Sequence, residues 1–146
     1  MAKPPSPPEI ARIIEYFEHL NPQSLNALDE IYTTDAYFKD PFNEVRGIDH
    51  IRAVFAHMFV ALNEPRFVVR DVVREGQNCW MTWDFIFRFK RWQSDLQTIR
   101  GATHFHWNEQ GKIISHRDYW DAAEELYEKL PFIGILMRWL KRRANT

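Results

Sequence analysis

An aspartate fixed against a proline and flanked by rings, Tyr37-Phe38-Lys39-Asp40-Pro41-Phe42, is the stretch best suited to chemistry. Pro41 bars the preceding residue from the helical region, so Asp40 is presented from a strand end or a turn. A carboxylate held among Tyr37, Phe38 and Phe42 loses hydration, which raises its affinity for a proton and suits it to general-base work near neutral pH. Asp-Pro is also an ordinary turn dipeptide whose carboxylate caps the turn, and that reading stands beside the catalytic one. The other reactive residue types lead less far. His50 and His57 lie seven apart with no carboxylate or cysteine at matching spacing, so they read as solvated or rim residues and no metal is expected. Cys79 beside Trp80 reads as buried.

The chain that must position Asp40 has 146 residues, the size of one ordinary domain with a core of its own. Aromatics make up 15%, more ring surface than a core of this size needs, and the surplus points to a lined cavity. A formal charge of -1 supplies no field for a phosphate backbone, which argues against nucleic acid as a partner. One cysteine excludes an internal disulfide and fits a reducing compartment. With neither a membrane span nor a signal pattern, the expected address is the cytoplasm.

Residues 1–8 hold four prolines and read as an extended or disordered arm before a single domain over 9–146. Ile10, Ile13, Ile14 and Phe17 recur at helical spacing to about Leu20, with Tyr16 at the stripe's edge, its hydroxyl free to reach a polar group. Asn21-Pro22 opens a second, short helix through Leu25, Leu28 and Ile31, ending near Thr33. A short strand, Tyr37 to Pro41, comes next. Gly47 then turns into a third helix carrying Ile48, Ile51, Phe55, Met58, Phe59 and Leu62, up to the Asn63-Glu64-Pro65 break. From there the period becomes alternating. Strands over 66–74, 79–92, 96–107 and 112–120 are joined by connections too short for crossover helices, which predicts an antiparallel meander. Odd positions of the middle two, Trp83 to Phe89 and Gly101 to Trp107, face inward unless a bulge intervenes. Asp121 and Glu124 form a capping box for a helix to Leu130, and Phe132 to Arg143 is amphipathic with a basic face. Such an end helix ordinarily covers the sheet, the cavity mouth or a partner subunit; an anionic membrane surface is the less expected place.

This order of helices and strands, with the phrase Ile31-Tyr32-Thr33-Thr34-Asp35-Ala36-Tyr37-Phe38-Lys39-Asp40-Pro41-Phe42, then Arg46-Gly47, then Phe105 to Ile113 and Tyr119-Trp120, resembles the nuclear-transport-factor-2-like superfamily. The likeness is to its SnoaL-like and ketosteroid-isomerase-like branch, and covers roughly residues 9–121. It implies an α+β cone in which N-terminal helices pack on a curved antiparallel sheet, here with a C-terminal helical extension over 121–143. It implies a cofactor-free site as well. In the isomerases the acid of the Asp-Pro-Phe stretch moves the proton, which maps to Asp40, and a first-helix tyrosine donates to the oxyanion, which maps to Tyr16. Thr103 stands where those enzymes carry a protonated acid, and Phe55 where they carry a further tyrosine, so an auxiliary donor is weakened and another is lost. SnoaL-like cyclases place their acid on the last strand, which maps to Asp118. His116, Asp118 and Trp120 share a face by alternation. A related epoxide-hydrolase pattern of aspartate, arginine and aspartate maps to Asp84, Arg100 and Asp118.

The resulting expectation is a protein that binds a small apolar molecule, with isomerase or cyclase chemistry by proton transfer. Asp40, Tyr16 and Asp118 are the catalytic candidates. Thr103, Phe55, Phe59, Phe105, His116 and Trp120 are the ligand-binding ones. A noncatalytic binder or interaction module of the same fold is the alternative. An uncovered aromatic and histidine-bearing sheet face predicts a homodimer.

Overall fold

The computed structural model describes residues 8–90, 95–127 and 131–145. Helix α1 (Pro8–Glu18) buries Ile10, Ile13 and Phe17, the stripe read from its spacing. The proline arm before it and the 93–94 turn lie outside the described residues. Asn21 caps the next turn reciprocally: its Oδ1 accepts from the Ser24 amide and its own amide donates to Ser24 Oγ, both at 2.9 Å. In place of the expected helix to Thr33, the chain forms a 3-10 segment, Gln23–Glu30, broken at Ala27. It is already extended at Tyr32, where strand β1 (Tyr32–Lys39) begins five residues earlier than the sequence pattern suggested.

A three-residue strand β2 (Glu44–Arg46), too short to read from alternation, pairs with β1 and leads through Gly47 into α2 (Ile48–Ala61). Gly47 takes φ 100, a left-handed value that a side chain disfavours. Four strands complete the sheet: β3 (Leu62–Glu75), β4 (Asn78–Phe89), β5 (Leu96–Trp107) and β6 (Ile113–Tyr119). Their meander is as expected. The sheet order is β2-β1-β6-β5-β4-β3, and every pair is antiparallel except β1 with β6. The expected wholly antiparallel sheet is therefore corrected at that pair, whose connection includes α2 and three hairpins and is long enough for parallel strands.

The Asn63-Glu64-Pro65 break survives as a bulge inside β3, because Pro65 has no amide to donate; a second irregularity falls between Val69 and Asp71. Those bulges bend β3 around the helices. Glu18, at the end of α1, satisfies the freed Val69 amide at 3.0 Å. The β4–β5 register runs unbroken from Asn78 opposite His106 to Arg88 opposite Leu96, so the inward assignment of odd residues holds along both strands. At one end of the inner face Met81, Phe105 and Trp107 pack solidly with Ile13, Phe17 and Phe55 from the helices. At the other end Trp83, Phe85, Phe87 and Ile99 form a separate cluster.

The C-terminal elements depart most from expectation. Asp121 Oδ1 accepts from the Glu124 amide at 3.1 Å, as a cap should, but α3 spans only Ala122–Glu125, and the onward path to Leu130 lies outside the described residues. Helix α4 (Pro131–Ala144) does not lay its apolar stripe on the sheet or the cavity mouth. Ile133, Ile135, Leu136, Trp139 and Leu140 are 45–61% exposed, while Gly134 is buried and Met137 half-buried.

Gly101 sits opposite Trp83 across β4 and β5, and a Cβ built there would lie 2.5 Å from the indole. The glycine is what lets the ring lie flat over the strand. Gly101→Ala is expected to cost about 1–3 kcal/mol through forced displacement of the ring. Urea unfolding with near-ultraviolet circular dichroism reads it; an unchanged midpoint and tryptophan signal would contradict this packing.

Candidate functional site

A cavity of about 300 Å³ opens between α2 and the bent sheet. Val54, Phe55 and Met58 of α2 form one wall, and Phe67, Trp83, Phe85 and Phe87 of β3 and β4 form the other. Phe42, His57, Trp120 and Leu126 ring the mouth. The Phe42 ring meets Trp120 edge-on at 5.5 Å and packs at 6.1 Å from Tyr127. Asp40, Asn43 and Asp118 bring carboxylate or amide groups to this otherwise apolar lining.

Asp118 lies on β6, where alternation turns it and His116 to the inner face. Its Oδ1 accepts from Thr103 Oγ1 at 2.5 Å and from His116 Nε2 at 2.7 Å. Thr103 Oγ1 in turn accepts from Trp83 Nε1 at 2.8 Å, and His116 Nδ1 meets the Tyr32 hydroxyl at 2.6 Å. Burial holds the Tyr32 phenol well above its ordinary pKa, and the negative Asp118 adds in the same direction. The phenol therefore keeps its proton and can donate to Nδ1, and with the ring proton on Nε2 both His116 contacts are hydrogen bonds. One oxygen of the carboxylate is thus held by two donors. Asp118 Oδ2 has no hydrogen-bond partner among the described residues, and it belongs to a residue that lines the cavity.

Asp40 sits at the rim in a different state. Its Oδ1 accepts from the Phe42 amide at 2.8 Å, the Asn43 amide at 2.6 Å and Asn43 Nδ2 at 3.1 Å, and Nδ2 also reaches Oδ2. This is the turn cap that Asp-Pro ordinarily makes. Tyr16 does not reach the cavity: its hydroxyl donates to the Ser24 carbonyl at 2.8 Å, and it lines a separate groove with Arg12, Glu30 and Lys112. The inward positions of α1 belong to Ile13 and Phe17, which turns Tyr16 aside. Phe17 is the α1 residue that approaches His116, with ring centroids 5.9 Å apart.

Thr103, Phe105 and His116 are brought together in a small recess beneath the cavity, with Phe55 shared between the two. Trp120 stands at the mouth. Phe59 instead packs against the core and is absent from the cavity lining, its expected place taken by Val54 and Met58. The Asp84, Arg100, Asp118 cluster is not formed, because Asp84 and Arg100 occupy the opposite sheet face from Asp118. Asp84 Oδ2 pairs with Arg70 at 2.6 Å, and Arg100 lies 3.8 Å from Glu125. Cys79 is buried, and burial pushes its thiol up to about 11, which leaves it unreactive.

Two members of the site were missed from sequence, Tyr32 and Trp83 as a donor. Tyr32 stands in even-numbered step with Ala36 and Phe38, all three buried, and would have been found by starting the strand five residues earlier. Trp83 was placed inward, but its N–H reaching Thr103 depends on Gly101.

A bent six-stranded sheet wrapped on helices, with a carboxylate on its last strand below an apolar chamber, defines the cone-shaped α+β class. The model of the SnoaL-like domain matches residues 13–116, and the chain belongs to that family. No curated protein matches the sequence. Among solved structures, a ketosteroid-isomerase-like protein from Catenulispora acidiphila in complex with trimethylamine has a TM-score of 0.70 at 16% identity, covering 84% of this chain and 92% of its own. A protein from Jannaschia assigned as a SnoaL-like polyketide cyclase has a TM-score of 0.68 at 18% identity, covering 84% and 94%. TerC, co-crystallised with polyporic acid, has a TM-score of 0.70 at 15% identity, covering 81% and 95%. At these identities the likeness establishes the fold.

Tyr32→Phe strips His116 Nδ1 of its only described donor while leaving the ring shape nearly unchanged. An unfolding free energy lower by about 1–3 kcal/mol is expected from the buried acceptor left unpaired. A difference below about 0.5 kcal/mol in urea titration would mean the bond contributes no more than a surface contact does.

Proposed function

We propose that the protein binds a small apolar carbonyl compound in the cavity and moves a proton on it, with Asp118 Oδ2 as the base. The observation that carries this is the asymmetry of the Asp118 carboxylate, whose Oδ1 is held by Thr103 and His116 while Oδ2 has no partner among the described residues, in a residue that lines the cavity. In the reaction a C–H bond next to a carbonyl breaks, the proton goes to Oδ2, and the electron pair becomes an enolate. Return of the proton to another carbon gives isomerisation. Attack of the enolate carbon on a second carbonyl forms a C–C bond as that carbonyl's π bond opens, and the resulting alkoxide takes the proton back from Oδ2, which gives ring closure, as the Jannaschia protein's assignment would have it.

The cavity supplies few donors for the enolate oxygen. Tyr16 is out of reach, Thr103 already donates to Asp118, and Asn43 donates to Asp40, which leaves His57 and Trp120 at the mouth. A missing oxyanion donor typically costs ~10²–10³ in rate. The chemistry therefore favours a substrate whose enolate stabilises itself, a 1,3-dicarbonyl or related oxygenated ring system. The same shortage of donors is what favours the second reading, a binder with no turnover.

Deuterium exchange at the central carbon of an aryl 1,3-diketone, followed by proton magnetic resonance, separates the two. The wild-type chain should accelerate exchange over buffer, and Asp118→Asn should lower that rate roughly 10²-fold or more with binding unchanged. Asp40→Asn should stay within a few-fold of wild type. Equal exchange in wild type and Asp118→Asn would eliminate proton transfer by Asp118 and leave the binder.

We also propose that the open sheet face forms a homodimer. Val73, Trp80 and Tyr119 are 43–66% exposed there, with His104 stacked on Trp80 at 4.8 Å. Burial, and secondarily the charge of His106, lowers the His104 pKa, so the ring stacked on Trp80 is neutral at neutral pH. Sedimentation should give a dimer, and Trp80→Glu a monomer; a monomeric wild-type chain would end this proposal.

A further inference from the structure

Helix α4 carries charge and exposure in a pattern the cavity does not account for. At 3.6 residues per turn, Ile133, Ile135, Leu136, Trp139 and Leu140 fall on one side and Arg138, Lys141 and Arg142 on the other. All eight of these side chains are exposed. A helix that stabilised the fold by burial would turn the first set inward. This one buries Gly134 and turns its largest apolar groups to solvent. Arg143, in the last turn, lies with its guanidinium 5.5 Å from the Trp139 ring, a pairing suited to a boundary where one end of the ring is apolar and the other wet.

The charge argues for the occupant. Residues 131–144 hold four basic side chains and no acidic one, whereas the whole chain has 19 basic and 20 acidic, so the remaining residues carry 15 against 20. A net positive charge is thus concentrated on one short amphipathic helix, while the remaining residues are net negative. An anionic bilayer suits both features, acyl chains for the apolar arc and a negative surface for a helix of net positive charge. No described helix is long and apolar enough to cross a membrane, and α4 has only 14 residues, so it lies along the interface.

We infer that α4 is a membrane-surface anchor that docks the protein on anionic phospholipid. Leu126, at the cavity mouth, stands five residues before Pro131, a reach of at most roughly 18 Å of chain, so docking brings the mouth close to the lipid. The inference does not depend on the proton-transfer reading, since vesicle binding is measured with the cavity empty of added ligand.

The test is co-sedimentation of the full chain with vesicles of phosphatidylcholine mixed with phosphatidylglycerol, against phosphatidylcholine alone, at low and high salt. Binding to the mixed vesicles, weakened by salt, is expected, with little binding to phosphatidylcholine. Replacing Arg142 and Arg143 with glutamine should weaken it roughly 30-fold, and Leu136→Glu by a comparable factor through the lost apolar contact. Both changes are at exposed positions, and thermal unfolding of each variant verifies that the body is intact. Absence of binding at low salt, equal binding to both vesicle types, or full binding by a folded Leu136→Glu chain would each overturn the inference. So would loss of a dimer in Leu136→Glu without vesicle capture by wild type, which would make α4 a protein interface.

Discussion

Two donors from neighbouring strands, the Thr103 hydroxyl of β5 and the His116 imidazole of β6, converge on Asp118 Oδ1, and this convergence lets a carboxylate sit beneath aromatic walls. A charge moved from water to such surroundings is costly unless it is bonded and its partners are themselves bonded. Here each donor is fixed in turn, Thr103 by the Trp83 indole and His116 by the Tyr32 phenol. The chain of bonds crosses β4, β5, β6 and β1, four strands adjacent in the sheet. The sheet register thus determines the chemistry: a slip of one residue would turn His116 and Asp118 to the outer face together.

The cavity arises from how the helices meet that sheet. Phe17 and Phe55 pack against Phe105 and His116 and seal the inner end, so the bonded chain is dry on one side. Toward Asp118, α2 diverges from the bent strands and leaves the chamber. The bulges in β3 contribute by curling its first half over the helix, since a flat strand would leave Phe67 and Trp83 unopposed. One carboxylate therefore has a packed side that holds it and an open side that a ligand can reach. Asp40 lacks this division, because the turn that positions it also consumes its oxygens.

The α1 stripe, the α2 stripe, the meander and its inward face were legible because burial on one side of an element leaves a period in the sequence. Residues outside such periods were not. β2 is three residues long, too short for alternation to show, and Tyr32 was assigned to a helix end because Leu25, Leu28 and Ile31 fit helical spacing across what is a 3-10 segment. Tyr16 was misdirected for a related reason: its place at the stripe's edge is compatible with facing either way, and only Ser24 across the turn decides. Asp118 and His116 were legible as a same-face pair. That they bond to each other, with Thr103 completing the set, depends on the cross-strand register of Thr103 opposite Asp118, which no local pattern carries. For α4 the period was legible and what it meets was not: its exposed apolar side chains leave a partner subunit, one of the three expected places, open, since periodicity reports that one face is apolar without saying what that face meets.

Where rigidity lies in this molecule bears on how it can work. The Asp118 carboxylate and its donors stand on central strands, each paired on both sides, so their geometry is held by ladders and not by loops. The mouth is built differently: Phe42 from the β1–β2 turn, Trp120 after β6, and Leu126 and Tyr127 after α3 meet through ring edges with no ladder between them. Such contacts open locally at far less cost than strand pairs do. Asp40 now has a physical part to play: by capping the turn with three bonds to Oδ1, it fixes the base of the segment that carries Phe42 while leaving the ring itself half exposed. The floor thus holds the carboxylate bonded to Thr103 and His116, and the acid that the sequence made most conspicuous belongs to the rim.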